Sequence, residues 1–339
     1  MRGAWRDIAL GLILGALATG APAQEQGGPV TTSLTLFAGT AQGPWRSRDW
    51  GGSWERVARR ASAGQDPQDI GAALAWLPVG PRVYLGGTGG LYISEDFGET
   101  WEHTPVEGPV LSVLPSRYPE AEPTVFLGTP RGLLKSVDAG RSFRPTVVEQ
   151  TPVHCIAWPG PALIVATGRG VLVSEDGGSS FSAPGAGLPA GEVRALALSS
   201  FFAVDPVILV GVGTAGVHRS PDGGRTWVAA GLSGKAVTDL VWLGPFLYAV
   251  TAAGLLRSQD LGVEWIRLGD GLAEAQPLRI LFPLAPESGA QAFLATDRGV
   301  YRTGDGGAHW ELVGFGGEQV LSVATFPPPS RMRDPRRSR

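Results

Sequence analysis

The stretch Ser220-Pro221-Asp222-Gly223-Gly224-Arg225-Thr226-Trp227 is a short turn set between two apolar runs. Its residue types fit that reading one by one. Ser and Asp carry short polar side chains that bond backbone N–H groups a residue or two away, which favours a turn over a strand. Gly supplies the positive φ of a tight reversal. The closing Trp is an apolar anchor able to bury roughly 150–250 Å². The unit therefore reads as strand, self-bonded turn, strand, with an aromatic ring pinning the turn to a core.

The chain repeats this unit seven times, as Ser-x-Asp-x-Gly-x-Thr-Trp with variations. The turn aspartates are Asp49, Asp96, Asp138, Asp176, Asp222, Asp260 and Asp305, at successive spacings of 47, 42, 38, 46, 38 and 45 residues. A period of roughly 40–50 residues is that of one four-stranded propeller blade. Thr303 replaces the leading Ser in the last copy, Glu264 and His309 replace the Thr in the sixth and seventh, and Phe143 and Phe181 replace the Trp in the third and fourth.

This pattern resembles the Asp-box, or BNR repeat, of sialidases, xyloglucan-cleaving hydrolases, sortilin-type receptors and photosystem II assembly-factor propellers. The resemblance covers roughly residues 34 to 326. It implies a propeller fold in which the Asp-turns join the two outer strands of each blade and act structurally.

The phase of the apolar runs places inner strands near 70–76, 109–114, 152–158, 192–198, 236–242, 278–284 and 319–325. Very apolar second strands fall near 34–39, 82–87, 124–129, 162–167, 206–212, 246–251 and 292–297. The two sets are offset, because the series opens on a second strand and closes on an inner one. Gln319 to Thr325 is therefore expected to become the innermost strand of the first blade, which removes the open sheet edges that invite aggregation. The expected fold is all-β: a single seven-bladed β-propeller, four antiparallel strands per blade, closed by that C-terminal strand.

Of the 339 residues, 1–23 read as a signal peptide: Arg2 and Arg6, an apolar stretch from Ile8 to Ala18, then Ala21-Pro22-Ala23 as a cleavage site. Residues 24–326 are read as the propeller and 327–339 as a basic disordered tail with five Arg in its last nine residues. The protein is expected to be exported, to the periplasm or the extracellular space, with no membrane span once the signal is removed. The lone Cys155 can form no intrachain disulfide. A net charge of −3 gives no reason to expect a nucleic-acid partner.

Propellers usually bind at the face formed by the second-to-third strand tips and the loops between blades, so fold analogy places a site there and not on the Asp-turn face. The binding candidates on that face are Arg131, Arg169 and Arg298, each just before a tip Gly; His154, Arg194, Thr238 and Arg279, read as one position on successive inner strands; and Asp239, an unexpected inner-strand acid. Guanidinium groups there suit carboxylates, phosphates or sulfates.

Sialidase chemistry needs an Arg triad, a Tyr–Glu pair and an Asp, together with a Phe-Arg-Ile-Pro-like segment. Phe143-Arg144-Pro145 follows an Asp-turn, on the wrong strand. Tyr84, Tyr92, Tyr248 and Tyr301 fall in core strands, and Tyr118 in a loop of the opposite face. No catalytic residue is assigned. The acids Glu107, Glu149, Glu192, Asp270, Glu274 and Asp297 share the binding face, but no pair is singled out for a two-carboxylate glycosidase. Four His and one Cys lack zinc spacing, and the Gly-rich pieces precede strands, so no metal or cofactor is expected. The leading expectation is an exported non-catalytic binding or assembly scaffold whose partner is another protein or an anionic or glycan ligand. The alternative is a glycan-binding or glycoside-hydrolase-like protein.

Overall fold

The computed structural model describes residues 35–57, 73–79, 82–104, 106–116, 122–160, 162–199, 201–272, 274–283 and 291–326. The stretch read as a signal peptide, residues 58–68, Tyr118 and the basic tail lie outside them. The described regular structure is strand apart from one 3-10 turn, Gly213–Ala215. The strands form seven antiparallel sheets, and each sheet is a blade built outward from its inner strand.

Blade 1 joins the two ends of the chain. Its inner strand is Val320–Phe326, hydrogen-bonded to Thr35–Thr40, which pairs in turn with Gly43–Ser47 and then Glu55–Arg56. The register runs from Thr35 opposite Phe326 to Thr40 opposite Val320. The inner strands of blades 2 to 7 are Ala73–Val79, Ser112–Pro115, Val153–Ala157, Val193–Leu198, Val237–Leu243 and Pro277–Leu281. Each packs beside the inner strands of both adjacent blades, and Val320–Phe326 closes the ring between the last of them and Ala73–Val79. In the first of these strands Ala73 lies opposite Gly87 and Val79 opposite Arg82.

The second strands are buried along their whole length, as in Val125–Thr129, Leu163–Thr167 and Ile208–Val212. They lie in the middle of a blade and are sandwiched between its two neighbours, so both faces are apolar and no alternation shows in the sequence. Tyr84 and Tyr248 are buried in second strands, and Tyr92 and Tyr301 in third strands. Blade 4 departs from the four-strand pattern. Beyond Gly170–Ser174 its outer edge carries a single bridge, Val173 to Ser182. Pro184, two residues on, has no N–H to extend the ladder.

All seven Asp-turns have the same internal wiring. In blade 5 the Ser220 hydroxyl donates to Asp222 Oδ1 at 2.8 Å and accepts the Gly224 N–H at 2.8 Å. Asp222 Oδ1 accepts the Thr226 N–H at 2.8 Å, and Oδ2 accepts the Thr226 hydroxyl at 2.6 Å. The Thr226 hydroxyl, followed by the backbone donors and Ser220, holds the Asp222 carboxyl down at about 2. The divergent copies keep this logic. Thr303 serves as the Ser, His309 Nδ1 takes the place of the Thr hydroxyl on Asp305 at 2.6 Å, and the Glu264 N–H is shared by both oxygens of Asp260. Trp101, Trp227, Trp265 and Trp310 each donate their indole N–H to the glycine carbonyl of their own turn. The residue after each Asp also has positive φ, including Trp50, Phe97, Ala139 and Leu261, where a side chain is held in a conformation that favours Gly.

Adjacent blades are stitched at these turns. The carbonyl following the turn Asp accepts from the preceding blade in four places: Tyr84 Oη to Ala139 O, Lys135 Nζ to Gly177 O, Tyr248 Oη to Gly306 O, and Arg302 Nη1 to Trp50 O. Arg46 reaches one residue further, to Gly98 O, and pairs with Glu55 and Glu99.

Candidate binding site at the channel mouth

The site begins with one local irregularity repeated around the ring. In blade 1 and blades 3 to 7 the inner strand enters with a buried apolar anchor: Val110, Val153, Val193, Val237 and Val320, with Pro277 in blade 7. The residue after the anchor is bulged out of the ladder. The pairing skips from Val153 to Cys155, from Val193 to Ala195, from Val237 to Asp239 and from Pro277 to Arg279. A bulge re-aims the side chain it carries. The bulged residues line the mouth of the channel on the face opposite the Asp-turns.

The mouth is a cavity of about 390 Å³ lined by Leu111, His154, Arg194, Thr238, Leu278, Arg279, Gln319 and Leu321. One arc, His154–Arg194–Thr238, is polar. The other, Leu278–Leu321–Leu111, is apolar.

Register corrects the sequence reading at one point. His154, Arg194 and Thr238 are equivalent, but the fourth member of that set is Leu278. Arg279 aligns instead with Cys155, Ala195 and Asp239, one residue deeper. The sequence reading matched positions by polarity, whereas the buried anchor defines the phase. Arg279 still reaches the mouth because its side chain is long. Its Nη1 donates to the Thr238 carbonyl in the preceding blade and, at 3.3 Å, to Leu278 O.

Around this ring the polar groups are tied together. Glu192, in the loop before the blade 5 inner strand, bridges two candidates: Oε1 lies 2.7 Å from His154 Nε2, and Oε2 lies 2.8 Å from Arg194 Nε. The Arg194 hydrogen bond is the main reason that the Glu192 carboxyl is lowered. Burial is the main effect on His154 and pushes it below its usual range, against the pull of Glu192. At neutral pH the cluster is therefore a neutral imidazole beside a carboxylate–guanidinium pair, less basic than a count of its cationic side chains suggests. Arg194 remains more than half exposed, its side chain 58% accessible, with donors free of Glu192.

Asp239 sits deeper in the channel wall. Its Oδ1 accepts the Leu240 N–H at 3.1 Å and its Oδ2 accepts the Ile280 N–H at 3.0 Å. Burial outweighs these bonds and Arg279, and raises its carboxyl above the ordinary value. It links blade 6 to blade 7 through backbone. The Cys155 Sγ donates to Arg194 O, and burial pushes the thiol up to about 11, far from thiolate character.

The tip arginines are not brought to the mouth. Arg131, Arg169 and Arg298 are exposed on the hairpins, and Arg298 pairs with Glu274 at 3.1 Å. Of the acids that the sequence reading put on this face, Asp297 accepts the Gln276 N–H, whereas Asp270 stands beside the last Asp-turn, 3.6 Å from His309. The residues lining the mouth include no carboxylate. Sequence reasoning missed Leu111, Leu278, Gln319 and Leu321 as site residues. The signal was present as an anchor followed by one residue, in Val110-Leu111, Val153-His154, Val193-Arg194, Val237-Thr238 and Val320-Leu321.

The BNR/Asp-box repeat family model matches residues 92–103, in the second of the seven turns. The chain is a seven-bladed propeller whose second turn matches the Asp-box repeat. No curated protein sequence is significantly similar to it. Among solved structures it is similar to a GH74 xyloglucanase from Xanthomonas campestris, with TM-score 0.65, 18% identity, 84% of this chain and 53% of that one. This propeller thus spans about half of that enzyme. It is also similar to YCF48 bound to a D1 peptide, with TM-score 0.55, 18% identity, 70% of this chain and 81% of that one. YCF48 from Cyanidioschyzon merolae aligns with TM-score 0.57 at 14% identity, over 77% of this chain and 96% of that one. At these identities the likeness is one of fold.

Proposed function

We propose that this Asp-box propeller is an exported, non-catalytic scaffold that holds a segment of another protein at its channel mouth. The observation that carries the reading is the divided rim. An apolar arc of Leu111, Leu278 and Leu321 faces a polar arc in which Arg194 keeps exposed donors. That surface suits a peptide presenting an apolar side chain and a carboxylate close together, because Arg binds carboxylates through paired N–H donors. A two-carboxylate glycosidase needs acids roughly 5–10 Å apart across a cleft, whereas Glu192 at the mouth is held by His154 and Arg194 and no second acid is among the lining residues. The peptide-bound YCF48 structure supports the same use of a single propeller. Export rests on the N-terminal apolar stretch and its Ala-x-Ala site.

The test is binding of the purified mature protein to paired peptide and glycan arrays. Acidic–apolar peptides should bind, and Arg194→Ala should weaken them about tenfold, as expected for a charge-assisted bond. Glycan binding without peptide binding, or peptide binding indifferent to Arg194→Ala, would refute the proposal. Mass spectrometry of the exported protein should find Gln24 as its first residue.

A further inference from the structure

A second cavity, of about 420 Å³, opens on the Asp-turn face between blades 4 and 5. Its walls include Val173, Phe202 and Pro206, and its floor is the turn Asp222-Gly223-Gly224-Arg225. The reason it exists is visible in the repeat. In every blade one residue of the second strand pairs with one of the third, and both point toward the next turn. The pairs are Phe37/Arg46, Tyr84/Ile93, Phe126/Lys135, Ile164/Val173, Leu209/Arg219, Tyr248/Arg257 and Phe293/Arg302. Six pairs hold an aromatic ring, a cation or both. Blade 4, with Ile164 and Val173, holds neither.

The consequence is seen at the carbonyl that follows the turn Asp. Lys135 Nζ donates to Gly177 O at 2.7 Å and lies 5.5 Å from the Phe126 ring centroid, and Arg302 donates to Trp50 O. Gly223 O is the equivalent acceptor in blade 5, and among the described residues nothing donates to it. The space above is open: a Cβ placed on Gly223 would meet only Pro206, at 3.7 Å. The local charge is negative, since Asp222 stays ionised within its turn and Glu175 is offset by a single Arg225, 3.6 Å away. Beside the cavity the loop of residues 199–206 holds Phe201 and Val204 outward, 55% and 83% exposed, and fixes them through Val204 N–H and Asp205 N–H bonds to Phe201 O.

We infer that this cavity receives a lysine side chain from a partner polypeptide, in the place that Lys135 fills within the molecule one blade earlier. Val173, Phe202 and Pro206 cover the alkyl stem. Gly223 O and Glu175 take the ammonium group, and Phe201 and Val204 give the flanking residues of the partner an apolar rest. The site is on the face opposite the channel mouth and does not depend on how the mouth is used.

The experiment compares two probes, Ac-Ala-Lys-Ala-NH2 and its norleucine analogue, by following backbone amide resonances of 222–226 in the full mature protein. The lysine peptide should bind at least about tenfold more tightly, the range expected when a charged donor meets a neutral carbonyl. Val173→Lys supplies the missing cation from within, so it should raise the melting temperature and abolish these shifts. Glu175→Gln, an exposed change that leaves the fold intact, should weaken the lysine peptide several-fold and leave the norleucine analogue unmoved. Equal or absent binding of the two probes, undiminished binding to Val173→Lys, or indifference to Glu175→Gln would each overturn the inference.

Discussion

Val320 is the residue on which closure of the ring can be tested most directly. It is fully excluded from solvent and packs among Leu36 and Ala38 of blade 1 and Phe293, Ala295 and Val300 of blade 7. Val320→Ala removes two buried carbons, about 1.6 kcal/mol of transfer free energy. An uncollapsed cavity of about 50 Å³ adds roughly 1 kcal/mol. Unfolding entropy scales at about 2.1 cal/mol/K per residue, so a unit running from Thr35 to Phe326 loses roughly 0.6 kcal/mol per degree, and the melting temperature should fall by about 4 °C. Val320→Asp should do far more. It places a carboxylate with no partner in an apolar shell, a cost of several kcal/mol, enough to free the strand from Thr35–Thr40. The control is the next residue. Leu321 is bulged toward the open mouth, so Leu321→Asp should cost about 1 kcal/mol or less. Thermal melts combined with hydrogen exchange at the Leu36 to Thr40 amides read both stability and strand release. Equal effects at 320 and 321, or a Val320→Asp protein melting within a degree of wild type, would refute the register and the closure.

Three further outcomes follow from the turns and their stitches. Ser220→Ala should cost about 1–3 kcal/mol, because it leaves the buried Gly224 N–H without its acceptor; a melt within error of wild type would contradict that wiring. Bonding to Asp305, and then its charge, raises the His309 imidazole. Its contribution is therefore complete below the ordinary His value and fades as pH rises through the raised one. NMR titration should place His309 above about 6.5, and in Asp305→Asn it should fall back toward that value. Arg46→Met severs the contact of blade 1 with the second turn at Gly98 O and Glu99, and should lower the melting point by a few degrees, an effect weakened by high salt.

The seven turns were legible because their chemistry is local. Ser, Asp, Gly and Trp satisfy one another within eight residues, so the order of residues suffices to declare a turn and its period declares a blade. The offset between opening and closing strands disclosed the shared blade for the same reason, since it is a matter of counting.

The mouth was only half legible. His154, Arg194 and Arg279 stand out as polar residues on apolar strands. That Glu192 offsets two of them, that Leu278 and not Arg279 shares their position, and that Arg131, Arg169 and Arg298 stay on the tips are facts of register and reach. The unfilled acceptor at Gly223 is further still from the sequence. Nothing in Ile164 or Val173 marks them as unusual until the neighbouring blade shows what Phe126 and Lys135 do in the same places. The sequence by itself determined the repeat, the turn chemistry and the way the ends meet, since each depends on neighbours along the chain. Tertiary structure alone decided which side chains share a cavity and which backbone groups are left without a donor. Those depend on partners about forty residues away, in the adjacent blade.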